Sequence, residues 1–103
     1  MAYKITWQGI EIGTITEKYS DMWYSSLDFI PNTAKQAQNF ITLAEKLTLK
    51  ETMQDWSKGI LVEIYWEEKT SYSVVLDYTD KKLYVRSHFR KETLEELFKD
   101  VKF

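Results

Sequence analysis

The feature that most constrains the fold is a run of alternating apolar and polar residues between positions 60 and 90. Three stretches alternate: 60–67 and 71–78 place an apolar residue at every second position, and in 83–90 Leu83, Val85 and Phe89 alternate with Tyr84, Arg86, His88 and Arg90. A period of two puts those residues on one face of a β-strand. The breaks at 68–70 and 80–81 are short enough to join antiparallel neighbours directly. The segment therefore predicts a three-stranded antiparallel meander.

These loop lengths also predict a register, in which Ile64 lies opposite Val74 and Leu76 lies opposite Val85. We expect Val74, Leu76 and Val85 to be hidden beneath helices, with Arg86 and His88 left in the open. The outer face would then carry three cross-strand rows: Leu61, Asp77 and Tyr84; Glu63, Val75 and Arg86; Tyr65, Ser73 and His88.

The first third of the chain also reads as strands. Apolar residues alternate from Tyr3 to Trp7, and Gln8 with Gly9 predicts a two-residue turn that sets Trp7 opposite Ile10. A bulge at Gly13 would return Ile15 to the buried side. A third strand is expected over residues 22–30, with its inward side chains being Trp23, Leu27 and Phe29.

Helices are predicted by three capping boxes, in which a Thr is followed three residues later by Glu or Gln. They are Thr33 with Gln36, Thr48 with Glu51, and Thr93 with Glu96. An apolar stripe at helical spacing follows the first and the third. Met53 and Trp56 are the expected apolar anchors of the second helix.

The predicted order is βββ-α(α)-βββ-α within a single domain, 1–103. Strands grouped apart from helices predict an α+β fold, with antiparallel sheet or sheets and helices packed on one face. Whether the two three-stranded units form one sheet stays open at this level.

Composition narrows the chemistry. The chain of 103 residues has no cysteine, one histidine and a formal net charge of −2. The missing cysteines exclude disulfides, thiolate metal sites and cysteine nucleophiles, and a lone histidine does not build an imidazole metal site. We expect no cofactor and no enzyme. No signal peptide is recognised and no apolar run approaches about 18 residues, so a cytoplasmic protein is expected.

Two surfaces are candidates for binding, because Tyr, Trp and Arg are frequent anchors of protein interfaces. In the first, the adjacent Trp23 and Tyr24 cannot both point inward. The second is the outer face of the meander. The candidate residues are Tyr19, Asp21, Trp23 and Tyr24 for the first surface, and Tyr65, Tyr84, Arg86 and His88 for the second.

Several alternatives stay open. Arg86, His88 and Arg90 could bind a small ligand or an anion, and His88 could serve a small enzyme. Nucleic acid is disfavoured by the acidic residues of the same unit. A partly apolar strand face could form a homodimer. That face would carry Leu61, Val75, Tyr65 and Tyr84.

The segments 7–15 (WQGIEIGTI), 21–24 (DMWY) and 29–31 (FIP) resemble the opening of small uncharacterised bacterial proteins. The resemblance covers the first third of the chain and implies no activity. In size and style the chain is also similar to bacterial toxin-immunity proteins, which act by binding a partner. The leading hypothesis is a non-catalytic protein-binding module, either immunity-like or accessory.

Overall fold

The computed structural model describes residues 2–20, 24–67, 69–87 and 90–99. Its strands are β1 Tyr3–Trp7, β2 Ile10–Ser20, β3 Tyr24–Pro31, β4 Ile60–Tyr65, β5 Thr70–Thr79 and β6 Lys82–Arg86. Its helices are α1 Lys35–Ala44, α2 Leu49–Gln54 and α3 Lys91–Leu97, with a 3₁₀ turn at Trp56–Lys58. This order along the chain follows the predicted one.

The arrangement of the strands differs from the prediction. They form a closed antiparallel barrel in the order β1-β2-β3-β6-β5-β4, and β4 pairs back onto β1. The expected α+β fold with helices on one face of a sheet is therefore wrong. Pairings between β3 and β6 and between β1 and β4 join the two three-stranded units at both edges. Closure leaves no unpaired edge strand, which is a physical reason to favour a barrel.

The register between β4 and β5 also differs from the prediction. Ile64 lies opposite Ser71, and Ile60 lies opposite Val75. The offset from the expected pairing is an odd number of residues, so β5 turns its other face inward. Val75 and Ser73 now face the interior, while Val74 faces outward. The predicted outer rows are therefore wrong wherever they combine β4 with β5.

Strands β5 and β6 pair partly as predicted. Asp77 lies opposite Tyr84, but a register shift between Val75 and Asp77 makes Leu76 the extra residue of a bulge. The predicted turn at 80–81 is confirmed, since Asp80 and Lys81 have φ values of 53° and 62°. These positive angles are typical of the two-residue hairpin turn that matches strand twist.

Two separate cores result. Inside the barrel lie aliphatic residues from all six strands, together with Ala37, Phe40 and Ala44 of α1. The Phe40 ring packs against Trp7 and Phe29, with centroid distances of 5.8 and 5.6 Å. Gln36 donates to the Gln8 side chain of the β1–β2 turn. Helix α1 therefore closes the end of the barrel at which this turn lies.

The second core lies outside the barrel wall. Val74 and Leu76 point outward and are fully buried beneath Leu94 of α3 and Trp56 of the 3₁₀ turn. Val85, in contrast, is buried inside the barrel. The expected burial of these three aliphatic residues is confirmed, although they occupy two cores. The short helices on the outside explain why the more apolar face of β5, with Val74 and Leu76, points away from the barrel interior.

The helix starts are partly as predicted. Thr48 caps α2 by accepting from the Glu51 amide at 3.4 Å. The other two expected capping boxes are wrong, because α1 and α3 begin after Ala34 and Arg90 without a side-chain cap. Met53 is 42% exposed, so it does not anchor α2. The buried residue of α2 is Thr52, whose hydroxyl donates to the Leu76 carbonyl at 2.9 Å.

The first hairpin confirms the predicted turn, with Trp7 opposite Ile10. A register shift beside Gly13 makes Ile12 the extra residue, and both Ile12 and Ile15 are buried. The strand expected over 22–30 is described from Tyr24, and the predicted inward residue Trp23 lies outside the described residues. Leu27 and Phe29, its other expected inward residues, are buried.

Candidate functional site

Among the described residues, a concave feature lies where β1 and β4 part. Their pairing covers only residues 4–6 of β1 and 63–65 of β4. Beyond this ladder, β1 turns into the first hairpin, and a cavity of about 350 Å³ opens along β4. We call it the β1–β4 cleft. Its walls come from β1, β4, β5, α1 and the end of α3, and include Thr6, Trp7, Leu43, Leu61, Tyr72 and Phe98.

One carboxylate organises the polar part of this cleft. Strand pairing places Thr6, Glu63 and Tyr72 in one row across the outer face of β1, β4 and β5. The Tyr65 hydroxyl donates to Glu63 Oε1. The Tyr72 hydroxyl also hydrogen-bonds Glu63. The two phenols therefore orient the carboxylate while leaving part of its accepting capacity for another donor.

These contacts change the acidity of both phenols. The hydrogen bond that Tyr65 donates to Glu63 raises the pKa of the Tyr65 phenol above the usual 10.0. Burial and the charge of Glu63 act in the same direction. For Tyr72, burial raises the pKa first, followed by the hydrogen bond and the charge of Glu63. Both hydroxyls therefore keep their protons at neutral pH and act as donors to the carboxylate.

A buried hydroxyl adds a second polar group to the cleft wall. Thr6 is 5% exposed, and it is one of the residues that line the cleft. Its Oγ1 lies near the Tyr65 phenol, where it opposes the rise in pKa, yet it has no well-formed hydrogen bond. A buried polar atom without a partner costs about 1–3 kcal/mol.

The charge of the cleft has one sign. Among the described residues that line it, Glu63 alone carries a formal charge. The Lys4 ammonium lies 4.4 Å from the centroid of the Tyr65 ring, on the next cross-strand row, and is not part of the lining. The remaining walls are mainly apolar and aromatic. The cleft therefore holds one negatively charged side chain within a mainly apolar lining.

The residues expected to bind are dispersed. Tyr65 takes part in the Glu63 network, while Tyr84 is 37% exposed on β6. Arg86 lies beside Tyr24 on the neighbouring strand, and its guanidinium stacks on Trp56 at 3.8 Å from the ring centroid. The Arg86 guanidinium therefore packs on an aromatic residue of the outer core, and its expected role in binding an anion stays a prediction.

The other expected residues are placed only in part. Asp21, Trp23 and His88 lie outside the described residues, and only the backbone of Tyr19 is described, opposite Ser26. The predicted row of Glu63, Val75 and Arg86 is wrong, since Glu63 lies opposite Tyr72 and Val75 lies opposite Val85.

Sequence reasoning missed Thr6, Tyr72 and Phe98 as site residues. Tyr72 was expected to point inward, because it shares the apolar face of β5 with Val74 and Leu76. Thr6 and Phe98 come from opposite ends of the chain, and no local pattern brings them together. The one available signal was the predicted placement of Glu63 and Tyr65 on the outer face of β4.

The raised phenol pKa values predict how stability changes at alkaline pH. Below about pH 10 both folded and unfolded states are protonated, and the full stabilisation is present. As pH rises through 10, the unfolded state loses its protons first, so the free energy of unfolding falls. Glu63→Gln removes one of the contributions that raise both pKa values, the negative charge of Glu63, so its alkaline loss of stability should be shallower than that of the wild type. Urea denaturation at pH 9, 10 and 11 measures this slope.

Glu67→Gln is the matched control, since it removes an exposed charge from the same region. It should retain the wild-type slope. Equal slopes for all three proteins would contradict the proposed phenol–carboxylate coupling.

Among the described residues, no helix is long and apolar enough to cross a membrane. Across the same residues, no three His, Cys, Asp or Glu side chains come together in a way that could hold a metal ion.

Comparisons with known proteins were made at three levels. Protein-family models, curated proteins and solved structures all returned no match. The resemblance to small bacterial proteins therefore stays a prediction.

Proposed function

We propose that this protein is a non-catalytic binding module and that its recognition site is the β1–β4 cleft. The observation that carries the proposal is the convergence of Glu63, Tyr72 and Thr6 on one point of a mainly apolar cavity. Apolar concavities with a few convergent polar groups are typical of ligand sites. The non-catalytic part rests on composition, because the chain has no cysteine and a single histidine.

This proposal keeps the binding role expected from the sequence and moves it to another surface. The face expected to support a homodimer is not formed, since Val75 points into the barrel and Leu61 packs with the outer core. A role as an immunity-like or accessory protein is compatible with the cleft, which would then receive a group from the partner. A cytoplasmic location is part of the proposal, because a cysteine-free chain lacks the disulfides common in small secreted domains.

The experiment compares three probes with the same six-carbon body and different charge: hexylammonium, hexanol and hexanoate. Each is titrated into the ¹⁵N- and ¹³C-labelled protein and followed by NMR. At least one probe should shift the signals of Trp7, Leu61 and Phe98, which line the cleft. The signals of Tyr84, which is exposed on β6, should not move.

A blocking variant makes the test specific. Leu43 lines the cleft and is 43% exposed, so Leu43→Trp should fill the cleft without disturbing a core and should abolish the shifts. Leu49 is 44% exposed and does not line the cleft, so Leu49→Trp is the matched control and should bind like the wild type. The proposal fails if no probe perturbs the cleft or if Leu43→Trp leaves the shifts unchanged.

A further inference from the structure

We propose that the β1–β4 cleft selects a primary ammonium group carried on an apolar stem. This inference rests on the proposed function and names the class of ligand. Two sources supply that chemistry: a free alkylamine, or the lysine side chain of a partner protein. The carrying juxtaposition is Glu63 beside the buried hydroxyl of Thr6, which has no well-formed hydrogen bond, within a mainly apolar cavity.

The charge of the cleft favours a cationic ligand. The one formally charged residue among the described cleft residues is an acid, so a cation gains and an anion is repelled. Trp7, Tyr72 and Phe98 also line the cleft, and the faces of aromatic rings attract cations. A neutral ligand would gain neither contribution.

The hydrogen-bond acceptors of the cleft favour a primary ammonium group. An ammonium group has three donors and no acceptor. The two phenols donate to Glu63, which leaves accepting positions on the carboxylate, and the Thr6 hydroxyl can accept as well. A guanidinium that bound both carboxylate oxygens in its usual two-pronged geometry would have to share Oε1 with the Tyr65 phenol, whereas a compact ammonium can use a single unoccupied lone pair. The arrangement therefore favours a compact ammonium over a guanidinium.

The apolar walls define the rest of the ligand. Leu61 and Phe98 belong to the outer core and also line the cleft, and Leu43 lines its exposed rim. An alkyl stem lying against these residues buries its methylenes while the charge stays at Glu63, as lysine side chains do at surfaces. Each methylene that is buried should tighten binding by up to about fourfold.

The test titrates butylammonium, hexylammonium, hexanol, hexanoate and hexyltrimethylammonium against the protein by NMR. Hexylammonium should bind at least about tenfold tighter than hexanol or hexanoate, and tighter than butylammonium. Hexyltrimethylammonium keeps the charge but has no N–H donor, so it should bind more weakly than hexylammonium. Glu63→Gln should weaken hexylammonium by at least about tenfold, and Thr6→Val by about threefold.

Glu67→Gln controls for net charge, because it removes an exposed acid that does not line the cleft. It should bind hexylammonium like the wild type. The inference is overturned if hexanol or hexanoate binds as tightly as hexylammonium, or if Glu63→Gln and Glu67→Gln behave alike. In either case binding within the cleft would still support the proposed function, so the two failures are distinguishable.

A peptide arm separates the two sources of the ammonium. Acetyl-Ala-Lys-Ala-amide is compared with the same peptide carrying norleucine or arginine. If the lysine peptide binds at least as tightly as butylammonium and the norleucine peptide does not bind, the site is assigned to a partner's lysine. Binding of the free amine alone assigns it to a small amine. An arginine peptide that binds tighter than the lysine peptide would contradict the ammonium selectivity.

Discussion

Replacing Gly13 by alanine is expected to lower the free energy of unfolding by about 4 kcal/mol or more, the range of exceptional single substitutions. An added Cβ would lie 2.2 Å from the Ile30 carbonyl oxygen and 2.9 Å from the Pro31 Cα. Both atoms belong to the backbone of β3, which pairs with β2 at this position, so they cannot rotate away. The φ of 151° adds strain, because L-residues rarely adopt it. Urea denaturation followed by tryptophan fluorescence measures the loss.

Gly9 supplies the matched control. It also has a positive φ, 79°, but nothing lies within 4 Å of the position of its Cβ. Gly9→Ala should therefore cost only the strain of a left-handed residue, about 1–2 kcal/mol. Equal losses for the two variants would show that the close approach of β2 and β3 is not what Gly13 provides.

Phe40→Ala is expected to cost about 3–5 kcal/mol, the range for removing a buried aromatic ring. Phe40 is fully buried and its ring packs against Trp7 of β1 and Phe29 of β3. Its loss would leave a cavity between α1 and the barrel interior, at the end that α1 closes. Thermal and urea denaturation should both show the change.

The neighbouring Asn39 is exposed on the same helix, so Asn39→Ala should change the free energy of unfolding by no more than about 0.5 kcal/mol. If Phe40→Ala cost as little as Asn39→Ala, the packing of α1 into the end of the barrel would be wrong. If only Phe40→Ala strongly lowers the free energy of unfolding, the result supports the packing of α1 against the inner core.

The closed barrel also explains the position of the cleft. A barrel made from two three-stranded units has two joining ladders, β3 with β6 and β1 with β4. The first joins five residue pairs and the second joins three. The shorter ladder leaves room between the strands, and the polar row of Thr6, Glu63 and Tyr72 lies at the end of that ladder.

Local sequence determined the elements of this protein. Alternation placed the strands, and the turns at 8–9 and 80–81 were predicted because two-residue turns need positive φ values and polar or glycine residues. The bulge beside Gly13 followed from the change of parity between Ile12 and Ile15. Each of these features depends on residues a few positions apart, which is why a single sequence reveals it.

Tertiary structure decided which face of each strand is inside and how the edge strands pair to close the barrel. The more apolar face of β5, with Val74 and Leu76, points outward because α3 and Trp56 cover it, while Ser73 and Val75 face the barrel interior. Alternation therefore separates the two faces of this strand but does not tell which one is inside. Closure and the cleft depend on pairs such as Thr6 with Glu63, which are far apart in the chain. The free energy of such contacts comes from burying and pairing whole strands together, and no local pattern encodes it.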